Sequence, residues 1–289
     1  MHLTRRDLLV GTAATLAGHV LRGVPRAAPP RLIVRVDDMG YTHAGNEAIV
    51  RTVRDGIASS VEVIAPAPWF PEAVRMLADI PQVDVGVHLA LTSEWDLVKW
   101  RPLTEARSLR DADGYFHPML MRNPNYPLRS LVEQPWKIED VEREFRAQIE
   151  LAKKHVPRLS HWSAHMGCTN LSPGVSALAQ SLGREYGIDI IPAERGVRNV
   201  SYVGARTTSD EKIESMLRML DSLEADRTYM MVDHPGLDGA ELRAVHHVGY
   251  ENVAIDRQGV TDSFTSALVR ARIRERGIQL IGYRDLASP

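Results

Sequence analysis

Residues that bind metals follow three short apolar runs that lie far apart in the sequence. They are Asp37 and Asp38 after the first run, His88 after the second, and His161 and His165 after the third. One aspartate and two histidines can hold a divalent cation, zinc or magnesium, and leave coordination positions for water or substrate. Such a cation polarises a carbonyl and activates water, so the pattern indicates metal-dependent hydrolysis.

The two adjacent aspartates can have different roles. Asp37 and Asp38 precede Met39 and Gly40, so their carboxylates leave a tight turn in different directions, one toward a metal and the other toward a water. The alternative is a structural role, in which an aspartate accepts hydrogen bonds from the amides that open a helix at Ala44. The pair alone leaves both interpretations open.

The histidines in apolar runs also allow two interpretations. His88 comes two residues after Gly86, which permits close backbone approach, and His234 stands beside a turn that follows a fourth apolar run. A lone buried histidine is more often a core residue than a ligand, and a histidine at a turn can simply face solvent. Opposite Asp37, however, His234 can protonate a leaving amine while Asp37 takes a proton from water.

The order of apolar and amphipathic segments predicts an α/β protein with a parallel sheet. The predicted strands are 32–36, 61–64, 83–89, 159–163, 188–191, 229–232 and 279–281. The predicted helices are 44–54, 71–77, 138–154, 174–186, 209–223 and 263–276. Side chains at the carboxyl ends of parallel strands meet at one rim, so the distant motifs can share one pocket. Seven strands predict an α/β barrel, which is either complete or else distorted and incomplete.

The segment 92–135 lacks regular periodicity and is rich in aromatic residues. They are Trp95, Trp100, Tyr115, Phe116 and Tyr126, with Trp136 just beyond the segment. A loop region of this length is usually functional or mobile, and aromatic rings beside a polar pocket suit stacking on sugars. The alternative is that the rings pack the loop onto the barrel, and both interpretations stay open.

Residues 1–28 have the features of a twin-arginine export signal. Arg5 and Arg6 lead into a weakly apolar segment, with cleavage expected near Ala27. The segment is too short and too polar for stable insertion in a membrane. An ordinary amphipathic helix or an uncleaved anchor on a lipid surface is the alternative. We therefore predict a periplasmic or secreted protein with its catalytic domain in 29–289.

Length and charge narrow the class of protein. With 289 residues, 44% of them hydrophobic, the chain can bury one large core but is short for two enzymatic domains. The net charge is −2, and basic residues do not alternate with aromatic ones, so a nucleic acid is not expected as a partner. Whether the chain forms a homo-oligomer stays open.

Four motifs taken together resemble those of a known family. VDDMG, GVHLALTSEW, HWSAHMG and DHPG occur in this order. They are similar to motifs of the YdjC-like carbohydrate deacetylases, a group of the polysaccharide deacetylase superfamily that includes chitooligosaccharide deacetylases. The resemblance extends from about Leu32 to Leu286. It implies a TIM-barrel-like domain that uses one divalent metal ion, zinc or magnesium, to remove N-acetyl groups from an amino-sugar or oligosaccharide substrate.

The resemblance also implies roles for individual residues. Asp38, His88 and His165 would bind the metal. Asp37 would be the general base and His234 the general acid. Other residues near these motifs are expected to bind substrate or to support the ligands, namely His161, Ser163, Glu94, Trp95 and Trp100.

One motif departs from the family pattern. The family usually has HxDSH where this chain has Ser163 and Ala164 in the third and fourth positions. If the missing aspartate orients a ligand histidine, a neutral hydroxyl should weaken metal binding about 10- to 100-fold. We expect a retuned enzyme, since the ligand and acid/base positions are intact. A metal-dependent hydrolase of another amide or ester, and an exported carbohydrate-binding protein that has lost catalysis, are the alternatives.

Overall fold

A computed structural model describes residues 27–287, so the predicted export signal lies almost entirely outside the described residues. The strands are β1 (Arg31–Met39), β2 (Ser60–Val63), β3 (Asp84–Leu89), β4 (His161–Ala164), β5 (Arg198–Val200), β6 (Thr228–Asp233) and β7 (Gln279–Leu280). The α-helices are α1 (His43–Arg54), α2 (Phe70–Ala78), α3 (Ile138–His155), α4 (Pro173–Tyr186), α5 (Ser209–Ser222), α6 (Ala240–Arg243), α7 (Val253–Thr265) and α8 (Ala267–Glu275).

The strands form one parallel sheet that curls into an open barrel. Its order is β4-β3-β2-β1-β6-β5, and β7 pairs with the first two residues of β1. Within residues 27–287 no strand pairing joins the edge strands β4 and β5. The predicted α/β barrel with helices around a parallel sheet is therefore confirmed, and the structure shows that the barrel is incomplete.

Strand β1 lies at the centre of the sheet and is buried on both faces. Leu32, Val34 and Val36 belong to the large core that the helices cover. Ile33 points to the opposite face and packs in a smaller cluster with Tyr283. Because side chains alternate along a strand, Arg35 and Asp37 share the face of Ile33, on the inner side of the curled sheet.

Helix α3 shows how the amphipathic pattern places an element on the sheet. Its residues Val141, Phe145 and Ile149 recur at intervals of four and are fully buried. Acidic residues in its first turn and basic residues in its last turn complement the helix dipole. The predicted helix over 138–154 is therefore confirmed. None of the helices in the described residues is both long and apolar enough to cross a bilayer.

The predicted strand over 188–191 is wrong. The N–H of Ile188 donates to the carbonyl of Gly183, and Gly187 adopts a left-handed conformation with φ 66°. This segment therefore ends helix α4, and its pairing with the sheet is limited to one isolated antiparallel bridge between Asp189 and His161 of β4. The corresponding strand, β5, forms later in the chain.

The single helix predicted over 263–276 is also wrong, because the structure has two helices there. Ser266 has an extended ψ of 130° and separates α7 from α8. Helix α7 begins well before the predicted start. In this earlier part of the helix, position 259 is buried against Lys212. Because residue 259 is a glycine, the pattern of apolar side chains does not reveal that this position is buried.

Candidate metal centre

Both adjacent aspartates reach the same rim because β1 is irregular at its end. In a regular strand, neighbouring side chains point to opposite faces. The register of β1 against β2 shifts between Val36 and Met39, and Asp38 has a φ of 70°. This left-handed conformation is uncommon for a residue other than glycine and is typical of functional sites. It turns the Asp38 carboxylate toward the side of the sheet that Asp37 already faces.

The two histidines come from neighbouring strands. His88 is near the end of β3, and His165 directly follows β4. Met166 and Gly167 then turn the chain away, with φ values of 48° and 67°. Both imidazoles are buried, and their rings meet edge to face with centroids 5.4 Å apart.

Asp38, His88 and His165 each present one atom to a common point. Asp38 Oδ1 lies 3.1 Å from His165 Nδ1 and 3.6 Å from His88 Nε2. One ligand atom from each of the three lies within 4.8 Å of the others. Atoms that each lie about 2 Å from one ion have separations of this size. The oxygen and nitrogen donors therefore fit a divalent cation.

The charges around this point also suit a cation. Burial raises the pKa of Asp38, but His234 and other cationic neighbours outweigh it and hold that pKa well below its usual range. Burial lowers the pKa of His88 to about 4, so its imidazole is neutral at pH 7. Burial also disfavours charge on His165, yet Glu94 and Asp38 raise its pKa to about 10. A positive charge is thus stabilised between these two carboxylates, and metal binding would displace a proton.

Asp37 is held in one orientation by an arginine of its own strand. Arg35 donates from Nε to Oδ1 and from Nη2 to Oδ2 of Asp37, both at 2.8 Å. A bidentate pair of this kind fixes the plane of the carboxylate. Arg35 also donates to Tyr283 Oη at 3.0 Å. Oδ2 of Asp37 lies 3.8 Å from His88 Nε2, beside the candidate ligands.

His234 lies on the open side of the same centre. Its side chain is 39% exposed, with Nε2 at 3.9 Å from Asp38 Oδ2 and Nδ1 at 3.7 Å from Asp233 Oδ1. Burial opposes protonation, but these two carboxylates raise the pKa of His234 above its usual value. A polar cavity of about 380 Å³ lies against it, lined by Tyr202, Arg206, Lys212, Asp233, His234, Tyr250 and Asp256 among others. A substrate in this cavity would be within reach of the His234 imidazole.

The residues of the long loop mostly form the wall of the centre. Glu94 Oε2 lies 2.8 Å from His165 Nε2, and the Trp100 ring is 5.8 Å from the His165 ring. The Trp95 ring lies 5.1 Å from the guanidinium of Arg257. Trp95 and Trp100 are each only 2% exposed, and Phe116 and Tyr126 are also buried. For these four rings the structure favours packing of the loop over stacking on a sugar.

His161 and Ser163 occupy positions behind the ligands. Ser163 Oγ lies 2.6 Å from His88 Nδ1. His161 is fully buried, with Nε2 at 2.5 Å from Glu62 Oε1 and its ring stacked on Tyr283 at 3.4 Å. Of the two histidines that follow the third apolar run, the structure brings only His165 to the cluster of ligand atoms.

Three charged residues of this region were not predicted from the sequence. Arg257 on α7 donates from Nη2 to Asp38 Oδ2 at 3.0 Å and lies against the ring of Tyr41. Within apolar strands, Glu62 is buried and Arg35 is partly buried. A charge inside such a run is a pattern that could have identified them. Arg257 had no comparable pattern, because it reaches Asp38 from a helix far along the chain.

Comparisons with known proteins show which family this chain resembles. The YdjC-like protein family matches residues 31–275. Carbohydrate deacetylase 2 of Listeria innocua is 26% identical over 267 residues, which cover 89% of this chain and 98% of that protein. A carbohydrate deacetylase of Enterococcus faecalis is 27% identical over 276 residues, with 89% and 98% covered.

One solved structure shows the same fold. It is an Enterococcus faecalis protein named for cellobiose-phosphate cleavage, 23% identical to this chain with a TM-score of 0.69. The match covers 90% of this chain and 99% of that one, so the open barrel and its surrounding helices occur together in both proteins.

Proposed function

Because the chain belongs to the YdjC-like family, we propose that it is a carbohydrate deacetylase that hydrolyses the N-acetyl group of an amino sugar or oligosaccharide. Two relatives that align over almost their whole length are named carbohydrate deacetylases. The observation that carries the proposal is the convergence of Asp38, His88 and His165 at the ends of three strands. That convergence supports the proposal of a hydrolytic metal at this site.

Asp38, His88 and His165 would hold one divalent cation, zinc or magnesium. When bound, such a cation acts as a Lewis acid that polarises the acyl carbonyl and lowers the pKa of water. The three side chains are buried on one side of the site. The side that faces His234 and its cavity is left for the substrate.

Asp37 and His234 would move the protons of the reaction. Asp37 accepts a proton from the attacking water, whose oxygen forms a bond with the acetyl carbon. His234 donates a proton to the amide nitrogen as the C–N bond breaks, so the products are acetate and a free amine. Arg35 keeps the Asp37 carboxylate directed at the site.

Acetate release tests this function directly. The purified protein is stripped with a chelator, reloaded with zinc, magnesium or cobalt, and assayed on a panel of N-acetylated oligosaccharides. We expect release that chelation removes and reloading restores. Hydrolysis of O-acetyl esters without any amide hydrolysis would reassign the substrate, and glycan binding without hydrolysis would indicate lost catalysis.

We also propose that the protein is exported through the twin-arginine pathway to the periplasm or beyond. The support is the pair Arg5 and Arg6 before a weakly apolar segment. A reporter fused to residues 1–28 should be exported, and the double change of Arg5→Lys with Arg6→Lys should stop its export. Export that does not depend on the arginine pair would contradict the proposal.

A further inference from the structure

Glu62 is a buried carboxylate that the proposed mechanism does not use. It lies on β2 with no exposed surface. Its Oε1 is 2.5 Å from His161 Nε2, and its Oε2 is 2.5 Å from Ser163 Oγ. Gly86, its partner in the register of β3, leaves the space for this pair, since a Cβ there would lie 2.5 Å from His161 Nε2. Three neighbouring strands are thus arranged around one carboxylate.

The hydrogen bonds that connect Glu62 to His88 have a defined direction. Burial raises the pKa of Glu62, but His161 and then Arg35 outweigh it and lower that pKa to about 2. The ionised carboxylate can only accept. Ser163 therefore donates its single hydroxyl proton to Glu62, and its oxygen accepts from His88 Nδ1 at 2.6 Å.

This direction determines which nitrogen of His88 is free. Because Nδ1 carries the proton of the neutral imidazole, the lone pair is on Nε2. Nε2 is the atom that lies 3.6 Å from Asp38 Oδ1, among the candidate ligand atoms. The tautomer that the hydrogen bonds select is therefore the one that can bind a cation.

We propose that Glu62 is a positioning residue of the metal centre, which acts through the Ser163 hydroxyl to fix the tautomer and the orientation of His88. This inference rests on the proposed function in taking Asp38, His88 and His165 as ligands. A negative charge behind a ligand imidazole increases its basicity toward a cation. The carboxylate comes from β2, and the hydroxyl on β4 carries its effect to β3.

The first test compares zinc affinities, measured by competition with a chromogenic chelator. In Glu62→Gln, the new amide can donate to Ser163, whose hydroxyl can then donate to His88 Nδ1 and select the other tautomer. We expect zinc to bind about 10- to 100-fold more weakly. Glu144→Gln is the matched control, because Glu144 is also fully buried and hydrogen-bonded, but to the amides of Leu103 and Thr104. Its zinc affinity should equal that of the wild type.

A rescue separates positioning from a merely structural role. In the double variant Glu62→Gln with Ser163→Asp, a carboxylate contacts His88 Nδ1 directly. We expect it to recover most of the lost zinc affinity. A general loss of packing around position 62 would not be repaired by a second change at position 163, so absence of recovery contradicts the proposal.

The second test needs no metal and no activity. Nitrogen chemical shifts of labelled histidine should show His88 protonated on Nδ1 in the metal-free wild type, and protonated on Nε2 to a measurable extent in Glu62→Gln. Wild-type zinc affinity and an unchanged tautomer in the folded variant would overturn the proposal.

If Glu62→Gln does not fold, Ser163→Ala removes only the hydroxyl, and the same two measurements should change in the same direction. A wild type that binds zinc but releases no acetate would refute the proposed function and leave this inference standing.

Discussion

The two sides of the candidate metal centre differ in burial. On the closed side, Asp38, His88 and His165 are 1%, 2% and 3% exposed. On the open side, the His234 side chain is 39% exposed and lines a polar cavity of about 380 Å³. The closed side is suited to hold an ion in a fixed geometry, and the open side to admit a substrate. Metal binding and proton transfer to the leaving group should therefore be separable by mutation.

The largest effect is expected on the closed side. His165→Ala removes a ligand that lies between two carboxylates. Loss of a residue that only supports a ligand weakens metal binding about 10- to 100-fold, and loss of the ligand itself should weaken it more. Acetate release should fall to background. Metal content and turnover check both points, with His155→Ala as the control, since His155 lies exposed at the end of α3. A metal content equal to that of the wild type would show that His165 is not a ligand.

The next largest effect is expected for Asp37, the proposed general base, which lies at the boundary between the closed and open sides. Asp37→Asn cannot accept a proton, and kcat should fall about 10²- to 10⁴-fold, the usual contribution of general acid–base catalysis. Zinc affinity should change little, because Asp37 is paired with Arg35. Parallel measurement of turnover and of zinc affinity checks this. Loss of metal together with activity would instead make Asp37 a ligand.

A smaller effect is expected on the open side. His234→Gln should lower kcat about 10²-fold, at the low end of the range, because solvent can reach the leaving nitrogen through the cavity. Zinc affinity should be retained. The loss should be smaller for an N-acetyl anilide with an electron-withdrawing group, since its amine needs less protonation to leave. An equal loss for both substrates would rule out His234 as the acid.

The smallest effect concerns stability in acid. The pKa of Glu62 is about 2 against an ordinary value of 4.5, so the carboxylate stabilises the folded state above about pH 4.5 and loses this contribution as the pH falls toward 2. His161, Arg35 and His88 face it from three neighbouring strands. The free energy of unfolding of the wild type should therefore fall more steeply than that of Glu62→Gln over this range, as urea titrations at several pH values would show. If the free energies of unfolding of the two proteins fell in parallel with pH, this prediction would be wrong.

The strand-end motifs could be predicted because each depends only on local sequence. Short apolar runs give strands, and parallel strands bring their carboxyl ends to one rim, so Asp38, His88 and His165 could be placed near one another. The register shift that turns Asp38 toward the face of Asp37 could not be predicted, because it follows from the pairing of β1 with β2. The segment 188–191 was misjudged because its short apolar run resembles a strand, whereas the backbone N–H of Ile188 bonds back to the end of helix α4.

The consequence of the hydroxyl at position 163 also lies beyond sequence patterns. A serine in place of an aspartate predicts weaker metal binding. In the structure, the carboxylate of Glu62 contacts the Ser163 hydroxyl, which in turn contacts His88. The register of three strands aligns these three residues. Such an arrangement depends on contacts between elements about a hundred residues apart, for which a single sequence carries no local pattern.

Anomalous diffraction at the zinc absorption edge, from crystals of the zinc-loaded protein, tests the metal centre most directly. We expect one peak about 2.0 to 2.2 Å from an Asp38 oxygen, His88 Nε2 and His165 Nδ1, with an open position toward His234. Absence of a peak there, or a peak bound by other residues while these three side chains stay as they are, would contradict the assignment of this site.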